Sequence, residues 1–221
     1  MAIVTMIMGQ SGTGKSASLR NLDPEKTAVI NVSGKPMPFR GPLKTWNTDD
    51  YAKILAAVQQ TDRDVIVIDD ASYLMVDEYM RTAKTPGYQK YTDMAVNFFG
   101  LIRLCAMLPA EKTVYFLGHV DSDSNGNEKF KTIGRLLDEK VTLEGLFTIV
   151  LKTVVQDGHY FFSTRNSGAD TVKSPMGMFD SDLIENDLAA VDQVIRSYYA
   201  MPEPKKASKK KDQNIEQKED R

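Results

Sequence analysis

Apolar residues along the chain fall into two alternating kinds of run. Short runs rich in β-branched residues, Ile3 to Met8, Thr27 to Val32, Val65 to Ile68 and Thr113 to Leu117, carry almost no polar interruption. A strand covered on one face only would alternate, so these read as strands buried on both faces. Between them the period changes. Tyr51, Ile54, Leu55 and Val58 recur at helical spacing behind the capping group Thr48-Asp49-Asp50. Tyr73 to Arg81 and Met94 to Leu108 predict two more helices, the second with Phe98, Leu101, Ile102 and Cys105 on one face and Pro109 ending it. Alternation of strand and helix predicts an α/β domain with a mostly parallel sheet.

The later chain reads differently. Leu43 to Trp46 adds a short strand early on, and Leu136 to Leu146 predicts a helix. Phe147 to Val155 and His159 to Arg165 form two strands joined as a hairpin by Gln156-Asp157-Gly158. Ser181-Asp182 caps a terminal helix running to about Tyr199. From residue 201 apolar residues nearly vanish, and seven basic and five acidic residues give the end a net charge of +2. That composition predicts one domain over 1–200 and a disordered charged tail over 201–221.

The chemistry is concentrated at the ends of the buried runs. Gly9-Gln10-Ser11-Gly12-Thr13-Gly14-Lys15-Ser16 fits G-x-x-x-x-G-K-[ST], the phosphate-binding loop, and it follows a strand and opens a helix as that motif requires. Its glycines let backbone N–H groups approach a phosphate, helped by the helix N-terminus. Lys15 is expected to reach the β- and γ-phosphates, Ser16 to hold Mg²⁺, and Ser18 to complete the nucleotide contacts in the opening helix. Val65 to Ile68 ends in Asp69-Asp70, at the strand end where ligands bind in open α/β sheets. This looks like a Walker B element, with Asp69 on Mg²⁺ and Asp70 polarising the attacking water; the plainer alternative makes Asp70 the cap of the next helix. His119 ends another buried strand, where a neutral imidazole senses the γ-phosphate or packs as a core histidine.

Composition narrows the partners. The 221 residues are 42% hydrophobic and 26% charged, enough for one sizeable core, and the net charge of −2 means that any nucleic-acid contact needs a local basic patch. Lys129, Phe130, Lys131 and Arg135 join basic and aromatic groups just after His119, a combination that suits single-stranded nucleic acid through backbone charge and base stacking. The acids between Asp121 and Asn127 begin like a calcium loop, but Thr132 stands where its closing Glu belongs, so the segment reads as a loop or hairpin tip. Lys152, Arg165 and Lys173 are candidates to reach a neighbouring subunit's nucleotide, as arginine fingers do. One cysteine, Cys105, excludes an internal disulfide and suits a reducing compartment. The chain is expected to open on a strand rather than a leader, and no apolar run reaches the roughly 18 residues of a membrane span, so the expected compartment is the cytoplasm.

This order of elements resembles the RecA-core ATPases, and specifically the short phage-type versions grouped with Sak-type single-strand annealing proteins. Gly9–Ser16, Val65–Asp70 and Leu117–His119, with Phe161–Arg165 and Lys173 after them, carry the resemblance. It implies a three-layer RecA-like P-loop NTPase with a mostly parallel central sheet, a C-terminal β-hairpin and a terminal helix. It also implies ATP and Mg²⁺ as cofactors and a homo-oligomer, ring or filament, with ATP at subunit interfaces. The implied partners are single-stranded DNA and a phage single-strand binding protein, in phage recombination or replication within the bacterial host cytosol. Three other readings stay open: an AAA+-like remodeller or helicase loader, a small-molecule or nucleotide kinase, and a nucleotide-switched scaffold that does not hydrolyse.

Overall fold

The structure, a computed structural model, describes residues 1–202; beyond that point the expected charged tail lies outside the described residues. In chain order the elements are β1 (Ile3–Gly9), a 3-10 helix (Ser16–Asn21), β2 (Thr27–Asn31), β3 (Thr45–Asn47), α1 (Tyr51–Gln60), β4 (Val65–Asp69), α2 (Ser72–Arg81), α3 (Gln89–Met107), β5 (Thr113–Ser122) and β6 (Glu128–Phe130). A π-helical turn (Leu136–Lys140) and a 3-10 turn (Leu143–Leu146) lead to β7 (Ile149–Gln156), β8 (His159–Ser163), β9 (Leu183–Glu185) and α4 (Leu188–Tyr198).

The strands form one mixed sheet in the order β3-β2-β4-β5-β1-β7-β8-β9, with β6 folded back on β5. Every pair from β3 to β7 is parallel, whereas β8 and β9 run antiparallel and β6 pairs antiparallel with β5. Because β5 lies between β1 and β4, Gly9 is level with His119, and Asn31 with Asp69, at the carboxyl edge of the sheet. Side chains alternate between two cores. Val4, Met6, Ile66, Ile68, Val114 and Phe116 pack under α1, α2 and α3. Ile7, Val67, Tyr115, Leu117 and Leu151 face the other way, onto Leu19 and the Leu188, Val191 and Ile195 stripe of α4. Helices therefore cover both faces, which explains the unbroken apolar strands.

At the opposite edge of the sheet, Arg196 donates to Asp192 at 2.6 Å and to Thr113, while Thr113 and Tyr115 hydroxyls donate to Asp192 at 2.6 and 2.7 Å. This satisfied network ties α4 to β5. The lone tryptophan, Trp46, lies on the outermost strand β3 and is 43% exposed. Cys105 is buried in α3, and burial pushes its thiol up to about 12. Among the described residues no helix is long and apolar enough to cross a membrane.

Three expected helices change. The one after the glycine loop is a single 3-10 segment that ends at Asn21. The stretch expected as a helix over Leu136 to Leu146 breaks into two short turns around Val141. Ser181-Asp182 does not cap the terminal helix: Leu183–Glu185 pairs with β8 instead, and Asp187 is the cap, its carboxylate accepting from the amides of Ala189 and Ala190. The loop after His119 is a hairpin tip, in which the Asp123 carboxylate accepts from the amides of Asn125 and Asn127.

Candidate functional site

The glycine loop is shaped by its own residues. Gly12 and Gly14 adopt φ of 79° and 96°, the left-handed region that glycine enters without a Cβ clash. At Gly9 the constraint is space, since a Cβ there would stand 1.8 Å from the Thr153 hydroxyl of β7. That hydroxyl lies 2.6 Å from the Thr13 hydroxyl, which also donates to the Gln10 carbonyl at 2.7 Å, so β7 braces the loop. Lys15 closes it from inside: Nζ donates to the Gly9 and Gln10 carbonyls at 2.9 and 2.8 Å. Among the described residues no hydrogen bond uses the amide groups of Ser11 to Lys15, which leaves a run of free N–H donors. Burial lowers the Lys15 ammonium below the ordinary lysine value, against the pull of Asp70 and Asp69.

The sheet brings the acids to this loop. Ser16 Oγ donates to Asp69 Oδ1 at 3.0 Å, and the same oxygen accepts from the Asp70 amide at 3.1 Å. Asp69 is 3% exposed, and burial, reinforced by the charge of Asp70, raises its carboxyl to about 6. Asp70 has φ of 57°, a strained position for a residue with a Cβ, and its chain is held there by the Ala71 amide donating to Leu117 O at 2.7 Å. Its two carboxylate oxygens face different partners: Oδ1 lies 3.7 Å from His119 Nε2, and Oδ2 lies 3.5 Å from Lys35 Nζ. His119 packs edge-on against Tyr73, and Lys35 lies over the same ring at 4.9 Å. Burial and then the charge of Lys15 lower the His119 pKa, so the imidazole is neutral at pH 7.

These groups line a cleft of about 830 Å³. Asp69, Asp70, His119 and Lys35 line it with the glycine loop and with Arg20, Tyr160 and Asn186, the last two standing against Gly14. Among the described residues no three His, Cys, Asp or Glu side chains converge on a metal position. Two hard oxygen donors do meet, the Ser16 hydroxyl and the Asp69 carboxylate, which is the protein share expected for a Mg²⁺ that takes its other ligands from phosphates and water. Ser18 is buried, and its hydroxyl donates to the Lys15 carbonyl at 2.6 Å, so it supports the loop from behind.

Other expected site residues lie elsewhere. Phe130 is 1% exposed and stacks on Phe98 in the core, so it has no face to offer a base; the stacking role expected of it is corrected. Lys129 is paired with Asp138 at 2.6 Å. Lys131 and Arg135 are exposed, Arg135 beside Glu139 at 3.5 Å. Lys152 is not poised as a finger: it bonds Glu128 and the fully buried side chain of Asp170, both at 2.9 Å. Arg165 pairs with Asp182 at 2.6 Å, and Lys173 is exposed on a bridge to Val150. Sequence reasoning gave no role to Lys35, Tyr160, Asn186 or Thr153. Lys35 had a signal, as a cation in the loop leaving β2 beside the acid-bearing β4. Asn186 had none, because only the pairing of β9 brings it to the glycine loop.

No family model and no curated protein matches the chain.

Proposed function

We propose that this chain is a Mg²⁺-dependent ATPase of the RecA-core P-loop type that works with single-stranded DNA. The observation that carries the reading is the 3.0 Å contact of Ser16 with Asp69, which joins the glycine loop to the carboxyl end of β4. Support comes also from the strand order, in which β5 and His119 intervene between β1 and β4. That arrangement sets an acid and a sensor side by side across from the loop.

Free amides of Ser11 to Lys15 and the Lys15 ammonium bind and orient the β- and γ-phosphates. Ser16 and Asp69 hold Mg²⁺, which when bound neutralises charge on the phosphate oxygens. Asp70 orients and polarises the attacking water, and neutral His119 beside it hydrogen-bonds water or phosphate. Lys35 supplies a second cation in cis. Of the three candidates for a neighbouring subunit's nucleotide, Lys152 and Arg165 are engaged within their own chain, which leaves exposed Lys173 for that role. Exposed Lys131 and Arg135 are the basic groups left for a DNA backbone, and ATP bound between subunits of a homo-oligomer belongs to the same proposal.

Steady-state ATP hydrolysis with and without single-stranded DNA, with Lys15→Ala as control, tests the reading. The expected result is Mg²⁺-dependent hydrolysis stimulated by DNA and lost in the variant. Hydrolysis indifferent to DNA, with no DNA binding at low salt, removes the DNA partner. Absence of nucleotide binding removes the ATPase.

A further inference from the structure

The cleft is lined also by residues that phosphate chemistry does not use. Asn186 lines it beside Gly14 of the loop, only 3% exposed, and its side-chain nitrogen is buried without a hydrogen-bond partner. Buried amide donors are nearly always satisfied, so one in a cleft lining is a donor open to an acceptor from outside the chain. Tyr160 stands beside it with 48% of its surface exposed. Both reach the glycine loop through the gap that Gly14 leaves. A Cβ on Gly14 would lie 3.0 Å from Tyr160 Cδ1, 3.1 Å from Asn186 Oδ1 and 3.3 Å from Asn186 Nδ2.

This corner is built rather than incidental. The Asn186 amide donates to the Tyr160 carbonyl at 3.2 Å, which fixes the two residues to each other. Arg20, in the 3-10 helix after the loop, donates to the Asn186 carbonyl and pairs with Glu185 at 3.2 Å. Asn21 donates to Asp187 at 2.7 Å. Three side-chain contacts therefore lock β9 and its exit to the segment that follows Ser16. The acids and the phosphate loop are already assigned. The lining left over for the rest of a nucleotide includes Ala17, Arg20, Tyr160 and Asn186.

We infer that Tyr160 and Asn186 form a nucleoside subsite, in which the base stacks on the Tyr160 ring and accepts a hydrogen bond from Asn186 Nδ2. The ligand class is then a nucleoside triphosphate and not an inorganic polyphosphate. The inference rests on the phosphate-binding reading of the glycine loop. An aromatic face and an amide suit a base, since every base has a π-face and an acceptor on its edge.

The test compares binding of ATP and of inorganic tripolyphosphate, each with Mg²⁺, by calorimetry on the full chain. Wild-type protein is expected to bind ATP at least about tenfold more tightly than tripolyphosphate. Asn186→Ala and Tyr160→Ala should each erode that preference through weaker ATP binding, with tripolyphosphate affinity unchanged, and Tyr160→Phe should retain it. Unchanged tripolyphosphate binding also certifies that the variants are folded. Equal affinity for the two ligands in wild type, or an Asn186→Ala protein that keeps the preference, overturns the subsite and leaves the phosphate site standing. If wild-type protein binds neither ligand, the phosphate reading falls and the subsite with it.

Discussion

Asp69 is held in a position that the folded protein tolerates better when the carboxyl is neutral. Burial and the neighbouring Asp70 raise it from 3.8 to about 6. Since the folded value lies above the unfolded one, the stability associated with this group is full below about pH 3.8 and is lost as pH rises through about 6. At pH 8 the ionised group costs about 3 kcal/mol. Asp69→Asn keeps an oxygen to accept from Ser16 Oγ and the Asp70 amide while removing the charge. For a domain of this size the gain amounts to about 6–12 °C in melting temperature. Thermal unfolding of metal-free wild-type and variant protein at pH 4 and pH 8 measures it. The variant should melt higher at pH 8 and nearly level with wild type at pH 4, and Mg²⁺ with a non-hydrolysable nucleotide should narrow the gap at pH 8. A variant that melts no higher at pH 8, or by a margin that does not change with pH, refutes the argument that buried charge is stored at this carboxylate.

Three other substitutions separate roles that look alike on paper. Lys35→Ala removes the cation 3.5 Å from Asp70 and should lower kcat about 100-fold with little change in KM, read from steady-state hydrolysis. Lys152→Ala strands the fully buried Asp170 side chain and should destabilise the fold by about 3–5 kcal/mol in urea titration; a trans finger would instead lose hydrolysis at unchanged stability. At Asp170 burial alone would push the carboxyl up, and the hydrogen bonds from Lys152 and Ser167 are what hold it below its ordinary value. Phe130→Ala empties a core position and should cost about 3–5 kcal/mol by the same titration; a stability unchanged by this truncation would restore Phe130 to the surface.

The parts of this molecule that sequence made legible are those set by neighbours along the chain. Apolar β-branched runs became the buried strands, and the glycine spacing of 9–14 became a loop with two left-handed positions, because both depend on local conformation. The parts that stayed hidden depend on partners far away. Lys152 sits in a strand whose pattern resembles any half-exposed one, and only Glu128 and Asp170, brought together by a bridge between the start of β6 and the loop after β8, draw it inward. Phe130 lies in a polar hairpin, and its burial requires Gly118 opposite, where a Cβ would come within 2.3 Å of the ring. The first turn of α3, from Gln89, is polar and carries no apolar period, so the pattern reveals the helix only from Met94. Leu183–Glu185 is three residues long, too short for periodicity to separate a strand from the start of a helix.

The position of Trp46 decides what an optical experiment on this protein will see. It is the chain's only tryptophan, and it sits half-exposed on β3, at the rim of the sheet and away from the cleft. Since the cleft lining does not include it, nucleotide binding should pass almost unnoticed in its emission. Fluorescence in this protein is a gauge of how firmly β3 adheres to β2. An unfolding curve followed at Trp46 that precedes the curve followed by far-ultraviolet circular dichroism would mean that the rim lets go before the rest of the sheet.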